Sequence, residues 1–98
     1  MAKYHISNIA VEDLSSIWEY TLETWSEPQA DIYYRELVNT FNGISERPCF
    51  FDKEYVEIHH GLFCRKCKKH LIFYTLDDNG EIEIVRILHE RMDIAHKF

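Results

Sequence analysis

Apolar residues recur at steps of three and four through the first half of the chain, which is the spacing of an amphipathic helix. An alternation over residues 3–6 predicts a short strand before it, and Ser7 is placed as the N-cap of the first helix. The apolar stripe of this helix comprises Ala10, Leu14, Ile17, Trp18, Thr21, Leu22 and Trp25. The acidic residues that lie off the stripe are predicted to face water, and they are Glu12, Asp13, Glu19 and Glu23.

A second amphipathic helix follows almost directly. Ser26 and Gln29 have the spacing of a capping box, and Pro28 is tolerated in a first helical turn. The helix is predicted to end at about Glu46, because the residue before Pro48 is displaced from the helical region. Two helices with so short a connector are predicted to fold back as an antiparallel hairpin, with their aromatic side chains in its core. The apolar stripe of the second helix comprises Ala30, Tyr33, Tyr34, Leu37, Val38, Phe41 and Ile44.

From Gly61 onward the pattern has a period of two, which is typical of strands. Residues Asn79 and Gly80 form a pair that readily supplies the positive φ angles of a tight turn. Residues 49–60 show no sustained period and are predicted to be loop, with a short extended piece around residues 55–58. The pattern predicts a meander of three strands, over residues 62–68, 70–76 and 81–88.

The last of these strands is apolar on both faces. A strand with one face in water should be polar on that face, and the helical hairpin can cover only one face of the sheet. We therefore expect the tail, residues 90–98, which has the length for a short helix, or else a partner chain, to cover the second face. Strict alternation would place Ile82, Ile84, Arg86 and Leu88 on one face, and Glu83, Val85, Ile87 and His89 on the other.

These elements predict an α+β fold in a single domain, residues 1–98. An N-terminal strand and an antiparallel helical hairpin would pack on one face of a small, mainly antiparallel sheet. The composition, 46% hydrophobic and 14% aromatic, is typical of an ordered domain, and a chain of 98 residues buries roughly two-thirds of its unfolded surface. No stretch approaches the roughly 18 apolar residues of a membrane helix, and the first residues lack the apolar core of a secretory signal. We expect a cytoplasmic protein with no membrane partner.

The formal net charge of −6 is unevenly distributed along the chain. Residues 1–60 contain four Lys or Arg and eleven Asp or Glu, whereas residues 61–98 contain seven and six. The acidic balance argues against a general nucleic-acid binder, so we expect no sequence-specific nucleic-acid binding by the chain alone. Any anion-contacting surface is expected in the second part, which holds the basic run at residues 65–69.

Three cysteines, Cys49, Cys64 and Cys67, fit a reducing compartment better than a disulfide framework. The spacing of Cys64 and Cys67 is that of half a zinc knuckle or of a redox pair, but a second such pair is absent. Residues three apart on a strand point to opposite faces and cannot chelate one ion. We therefore predict no metal and no cofactor, although further ligands are near in sequence at Cys49, His59, His60 and His70.

A string of residues near the C-terminus is more specific for one protein family than the hydrophobic pattern of the chain is. Residues 70–74, residues 82–89 after an acidic turn, and then Arg91, Met92 and Asp93 resemble the C-terminal signature of ParE toxins in the RelE/ParE superfamily. The order of elements is also similar to the family's, and residues 49–60 match least. The first helix resembles the family's opening helix through Asp13, Leu14, Ile17, Trp18 and Tyr20.

The resemblance implies a function and partners. Members are toxins encoded beside an antitoxin, whose flexible C-terminal segment wraps the toxin's helices and sheet. Members nearer ParE poison DNA gyrase, whereas members nearer RelE cleave mRNA on the ribosome. We therefore predict the toxin of a type II toxin–antitoxin (plasmid stabilization) system, neutralised by a cognate antitoxin and inhibiting DNA gyrase. The alternatives are a metal-independent, ribosome-dependent endoribonuclease and a non-toxic interaction module. An enzyme is not favoured, because a chain of charge −6 approaches ribosomal RNA against repulsion.

Arg65, Arg86, His89 and Arg91 are the candidates for contact with the target or the antitoxin. Arg65 follows Gly61, where the resemblance implies an arginine in the ribonuclease members; the alternative is a solvated strand end. Arg86 lies mid-strand and needs either a buried partner or an anion-binding groove. In a ribonuclease, Arg65, Arg86 and His89 would be catalytic, with His89 as general acid or base. Otherwise His89 is a cap on the tail.

Overall fold

A computed structural model describes residues 4–50 and 52–98 of the chain. The predicted first strand is confirmed at its second half, whereas Lys3 lies outside the described residues. No helix in this part of the chain is both long and apolar enough to span a membrane. The elements are β1 (His5–Ile6), α1 (Asn8–Thr24), α2 (Glu27–Glu46), β2 (Lys53–Glu54), β3 (Leu62–Cys67), β4 (His70–Leu76), β5 (Ile82–His89) and a final 3₁₀ helix (Ile94–Lys97).

Both predicted helix starts are confirmed by their caps. The Ser7 hydroxyl accepts a hydrogen bond from the Ala10 backbone N–H at 3.0 Å, and the Ser26 hydroxyl accepts one from Gln29 at 3.2 Å. Each cap satisfies one of the N–H groups that a helix start leaves without an internal partner. The end of α2 is also as predicted, because Arg47 is its C-cap and Pro48 follows.

The buried stripe of α1 is narrower than predicted. Thr21 of α1 and Ala30 of α2 are both buried, but Leu22 is 40% exposed and Trp25 is 72% exposed. Trp25 is the C-cap residue, and its non-helical backbone takes its side chain out of the helical spacing. The prediction that both side chains are buried was therefore wrong at the end of the hairpin.

The sheet has the order β1-β5-β4-β3-β2, in which β1 runs parallel to β5 and all other neighbours are antiparallel. The predicted extended piece at residues 55–58 was wrong, because those residues turn and the short strand lies just before them, at Lys53 and Glu54. The Glu54 carboxylate accepts from the Gly61 N–H at 3.0 Å, and Gly61 has a φ of 84°. The chain therefore reverses between β2 and β3.

A β-bulge in β5 overturns the predicted alternation of its faces. Phe73 is opposite Arg86 and Tyr74 is opposite Ile84, so Val85 is an extra residue without a partner in β4. Beyond the bulge the faces change: Ile87 packs with the residues under the helices, and Leu88 packs on the opposite face. Both faces of the strand are nevertheless apolar, as the sequence indicated.

Two apolar clusters lie on the two faces of the sheet. The larger one fills the space between the helices and the sheet. The second contains Leu62, Cys64, Phe73 and Leu88, and Ile94 of the tail packs against it. The Phe98 ring also meets the Phe73 ring, with 5.1 Å between centroids. Of the two predicted covers of the second face, the tail or a partner chain, the structure shows the tail, and four of its residues are helical.

Candidate target- and antitoxin-contacting site

Arg65, on β3, is bound to a carboxylate within the protein. Its guanidinium donates to Asp52 through Nε at 2.8 Å and through Nη2 at 2.9 Å, and Nη2 also donates to the Arg47 carbonyl at 2.7 Å. The Asp52 side chain is only 3% exposed and that of Arg65 is 20% exposed. Two parallel N–H···O bonds make this a geometrically specific ion pair.

The Asp52 carboxylate also binds a side chain of β4, Tyr74. The Tyr74 hydroxyl donates a short hydrogen bond to Asp52 Oδ2 and accepts one from the Cys49 N–H at 2.8 Å. Burial raises the pKa of Tyr74, and its hydrogen bond to Asp52 raises it further. Cys49 has a φ of 65°, a left-handed conformation that this network keeps in place. Arg65 therefore binds Arg47 and Asp52 directly, and Asp52 is linked through Tyr74 to Cys49.

Arg86 is paired in a similar way with the first helix. Its Nε and Nη2 donate to the Asp13 carboxylate at 2.9 and 3.0 Å, and the Ile87 N–H donates to the same carboxylate at 3.0 Å. Arg86 Nη1 donates to the Lys97 carbonyl at 3.0 Å. The prediction that Asp13 faces water was wrong. The pairing of β1 with β5 ends at Ile84, and beyond that residue the Asp13 carboxylate accepts the hydrogen bond of the Ile87 N–H at the edge of β5.

A row of polar side chains lies on the helix-facing side of the sheet, where β4 begins and β5 ends, and it consists of Tyr33, His70 and His89. The Tyr33 hydroxyl and His70 Nδ1 are hydrogen-bonded at 2.5 Å, and the rings of His70 and His89 meet edge to face with 5.3 Å between centroids. Burial, and secondly the neighbouring His89, lowers the pKa of His70 from 6.5 to about 4. Burial raises the pKa of Tyr33 to about 12. Tyr33 and His70 are therefore both neutral at pH 7.

The lowered pKa of His70 predicts a loss of stability in mild acid. Between about pH 6.5 and about pH 4 the unfolded chain binds a proton at His70 that the folded protein does not bind. The free energy of unfolding should fall by up to about 1.4 kcal/mol per pH unit in this window, and the contribution is complete above it. Urea unfolding of the wild type and of His70→Gln between pH 4 and 8 measures the difference.

Comparison with His70→Gln isolates this histidine, since the carboxyl groups titrate in both proteins. His60→Gln serves as the matched control, because the His60 side chain is almost fully exposed. A wild-type curve that runs parallel to the His70→Gln curve through this pH range would contradict the prediction.

His89 is the last residue of β5, and Arg91 lies in the turn that follows. The Arg91 N–H donates to His89 Nδ1 at 3.1 Å, and the Met92 N–H donates to the His89 carbonyl at 3.0 Å. The Arg91 side chain is exposed. His89 therefore caps the turn after β5, but the prediction that it caps the tail helix was wrong, because the N-cap of the final 3₁₀ helix is Asp93. Arg91 is placed where a partner can reach it.

The candidate residues have separate partners. Among the described residues, no hydrogen bond joins any two of Arg65, Arg86 and His89, which lie opposite Ile72, Phe73 and His70 of β4 respectively. The possible proton-transfer groups Tyr33, His70 and His89 are brought together by the structure. The sequence did not indicate Asp52 or Tyr33 as partners, although a buried arginine does require a carboxylate somewhere.

Cys64 and Cys67 point to opposite faces of the sheet, as predicted. Cys64 belongs to the cluster on the second face, whereas Cys67 packs in the larger core under the helices. Burial raises the pKa of the Cys64 thiol to about 12. Among residues 4–50 and 52–98, no three His, Cys, Asp or Glu side chains converge on a possible metal position.

Comparison with known proteins places this fold in a family. A family model described as "ParE toxin of type II toxin-antitoxin system, parDE" matches residues 4–94. The chain belongs to this family. Toxin ParE1 of Mycobacterium tuberculosis is 32% identical over 93 residues, which cover 95% of this chain and 94% of that protein. Toxin ParE1 of Caulobacter vibrioides is 34% identical over 95 residues, with the same two coverages.

Solved structures agree on the fold. The chromosomal ParDE TA system from P. aeruginosa matches with a TM-score of 0.77 at 15% identity, over 91% of this chain and 96% of that chain. The toxin–antitoxin complex RelBE2 from Mycobacterium tuberculosis matches with a TM-score of 0.62 at 18% identity, over 91% and 99%. Two helices on a mainly antiparallel sheet are thus shared with both structures, as the sequence predicted, and the sheet of this chain has five strands.

Proposed function

We propose that this ParE-family toxin inhibits DNA gyrase by binding to it, and that a cognate antitoxin holds it inactive. The observation that carries the proposal is the match of residues 4–94 to the ParE toxin family, together with relatives named Toxin ParE1 over almost the whole chain. Gyrase is the target that the resemblance to ParE implies.

The antitoxin part of the proposal has two supports. The two similar solved structures are described by their titles as a toxin–antitoxin system and a toxin–antitoxin complex. The helical hairpin also exposes large aromatic side chains, since Tyr20 is 67% exposed and Trp25 is 72% exposed. Exposed aromatic side chains of this size are typical of protein interfaces.

The internal ion pairs of Arg65 and Arg86 support a toxin that acts by binding its target over one that cleaves RNA. Cleavage of a phosphodiester requires cations directed at the charge that develops on the phosphate. Arg65 and Arg86 are each neutralised by an internal carboxylate. The feature that favours the alternative, a ribosome-dependent ribonuclease, is the contact between His70 and His89, which could act as base and acid.

Purified, antitoxin-free protein tests the proposal in two reactions, supercoiling by gyrase and cleavage of mRNA on translating ribosomes. We expect inhibition of supercoiling and no cleavage. Arg91→Glu should raise the inhibitory concentration by about tenfold, the effect of roughly 1.4 kcal/mol of lost contact energy. Arg35→Glu makes the same charge reversal on α2, and it should change the inhibitory concentration by less than about twofold.

Other outcomes would replace the proposal. Ribosome-dependent cleavage that His89→Gln reduces by on the order of 10²–10⁴, with supercoiling unaffected, would make the protein a ribonuclease. Absence of both activities in a protein that still binds its antitoxin would make it an interaction module without toxicity.

A further inference from the structure

An open pocket of about 520 Å³ lies beside β2 and β3, on the sheet face opposite the helices. Its apolar lining comes from Phe50, Tyr55, Cys64 and Leu71. Tyr55 and Leu71 pack against the second apolar cluster, and Cys64 belongs to it, so this part of the pocket is anchored in the core. The volume is within the range of about 300–1,000 Å³ that is typical of binding pockets.

Two lysines stand at the same pocket. Lys53 is directly opposite Cys64, and residues opposite each other in a sheet point to the same face, so Lys53 and Lys66 both lie on the pocket's side. Lys66 is two residues beyond Cys64, which puts the two lysine Cα atoms roughly 7–8 Å apart. The Arg65 and Asp52 side chains, which also line the pocket, neutralise each other.

The charge around the pocket is opposite to that of the rest of the protein. Three basic residues, Lys53, Arg65 and Lys66, line the pocket with one acidic residue, Asp52, whereas residues 8–46 carry eight acidic residues and one basic residue. An acidic partner is therefore repelled by the helical hairpin and attracted to this end of the sheet.

A carboxylate of the protein itself shows what the pocket lysine binds. Glu90 Oε1 lies 3.0 Å from Lys66 Nζ, and Lys66 holds the pKa of Glu90 below its usual value. Both side chains are on the surface, where ion pairs are weak and exchange readily with other partners. A carboxylate from another molecule can therefore take the place of Glu90.

The shape of the pocket favours a protein segment over a small ligand. Small-molecule sites bury roughly 70–90% of their ligand, which an open pocket on a sheet surface does not do. A pocket that receives one apolar side chain, surrounded by charged groups, is instead typical of an anchor site in a protein interface.

We propose that this pocket docks an extended, acidic segment of a partner protein. A leucine or phenylalanine side chain of the segment enters between Phe50, Tyr55 and Leu71. Carboxylates two residues to either side of the anchor bind Lys53 and Lys66, because alternate residues of an extended peptide point the same way. The proposal does not depend on which protein the toxin inhibits.

The test uses a fluorescein-labelled peptide, Glu-Ser-Glu-Ser-Phe-Ser-Glu-Ser-Glu, and the full-length protein at low ionic strength. Fluorescence anisotropy should show saturable binding, and amide resonances of Lys53, Tyr55, Lys66 and Leu71 should shift in ¹⁵N spectra. Exchanging the four Glu for Lys should weaken binding by about tenfold or more. Exchanging the Phe for Ser should weaken it by about fivefold or more.

Variants of the protein locate the site. Lys66→Glu and Phe50→Ala should each weaken binding of the peptide by about fivefold, and both residues are exposed, so folding should be unaffected. Arg35→Glu is the matched charge reversal on α2, and it should change the affinity by less than about twofold.

Three results would overturn the proposal. The first is equal affinity for the acidic and the basic peptide, or no saturable binding up to about millimolar concentration. The second is an equal loss of affinity in Lys66→Glu and Arg35→Glu, which would indicate attraction by overall charge. The third is a dimer, seen by sedimentation, that Phe50→Ala converts to a monomer, which would make a second copy the occupant.

Discussion

Replacing Asp52 by alanine should lower the free energy of unfolding by about 3–5 kcal/mol, the cost of removing one partner from a buried ion pair. The substitution leaves the buried Tyr74 hydroxyl without its acceptor, and it leaves the Arg65 guanidinium, whose side chain is 20% exposed, without its carboxylate. Urea unfolding followed by tryptophan fluorescence measures the change, and the melting temperature should fall by more than about 10 °C.

Matched variants separate the contributions to this loss. Asp52→Asn keeps the size and one acceptor oxygen, so its effect should be smaller than that of Asp52→Ala. Tyr74→Phe removes the hydroxyl alone. Lys66→Ala breaks the exposed ion pair with Glu90 and should have little effect. A stability of Asp52→Ala within about 1 kcal/mol of the wild type would show that the Arg65 network contributes little to the fold.

Asp13→Ala should be the second most damaging of these substitutions, with a loss of about 2–4 kcal/mol. Its carboxylate accepts two hydrogen bonds from Arg86 and one from the Ile87 backbone N–H, and all three lose their acceptor together. The tail should also loosen, because the guanidinium that loses Asp13 donates to the Lys97 carbonyl. Urea unfolding measures the stability, and hydrogen exchange of the tail amides measures the loosening.

A double-mutant cycle with Arg86→Met tests whether the loss comes from the ion pair. In the Arg86→Met background no buried charge is left without a partner, so Asp13→Ala should cost markedly less than it does alone. Equal costs in the two backgrounds would assign the effect to the Ile87 hydrogen bond or to the helix itself.

The sequence was sufficient for the elements whose signals are local. Ser7 and Ser26 were recognised as caps because a short hydroxyl side chain at a helix start has one dominant use. The pair Asn79 and Gly80 marked the turn between β4 and β5, although Gly80 alone of the pair has a positive φ, of 80°. These features depend on a few neighbouring residues and not on the rest of the fold.

Long-range partners were beyond a reading of the sequence. Asp13 is separated from Arg86 by 73 residues, and Asp52 follows a segment without periodicity, so no spacing connects either carboxylate with its arginine. The bulge at Val85 was missed because strict alternation is assumed in reading a strand. The charged residues of the candidate site could be named from the sequence, but the internal ion pairs of Arg65 and Arg86 could not.

The bulge has a consequence for comparing this chain with its relatives. Removing Val85 would join Ile84 to Arg86 and leave Arg86 opposite Phe73, with Ile87 still under the helices and Leu88 still on the second face. In a strand without a bulge, the loss of one residue would instead invert every side chain beyond it. A gap of one residue at this position in an alignment of ParE toxins is therefore compatible with an unchanged fold.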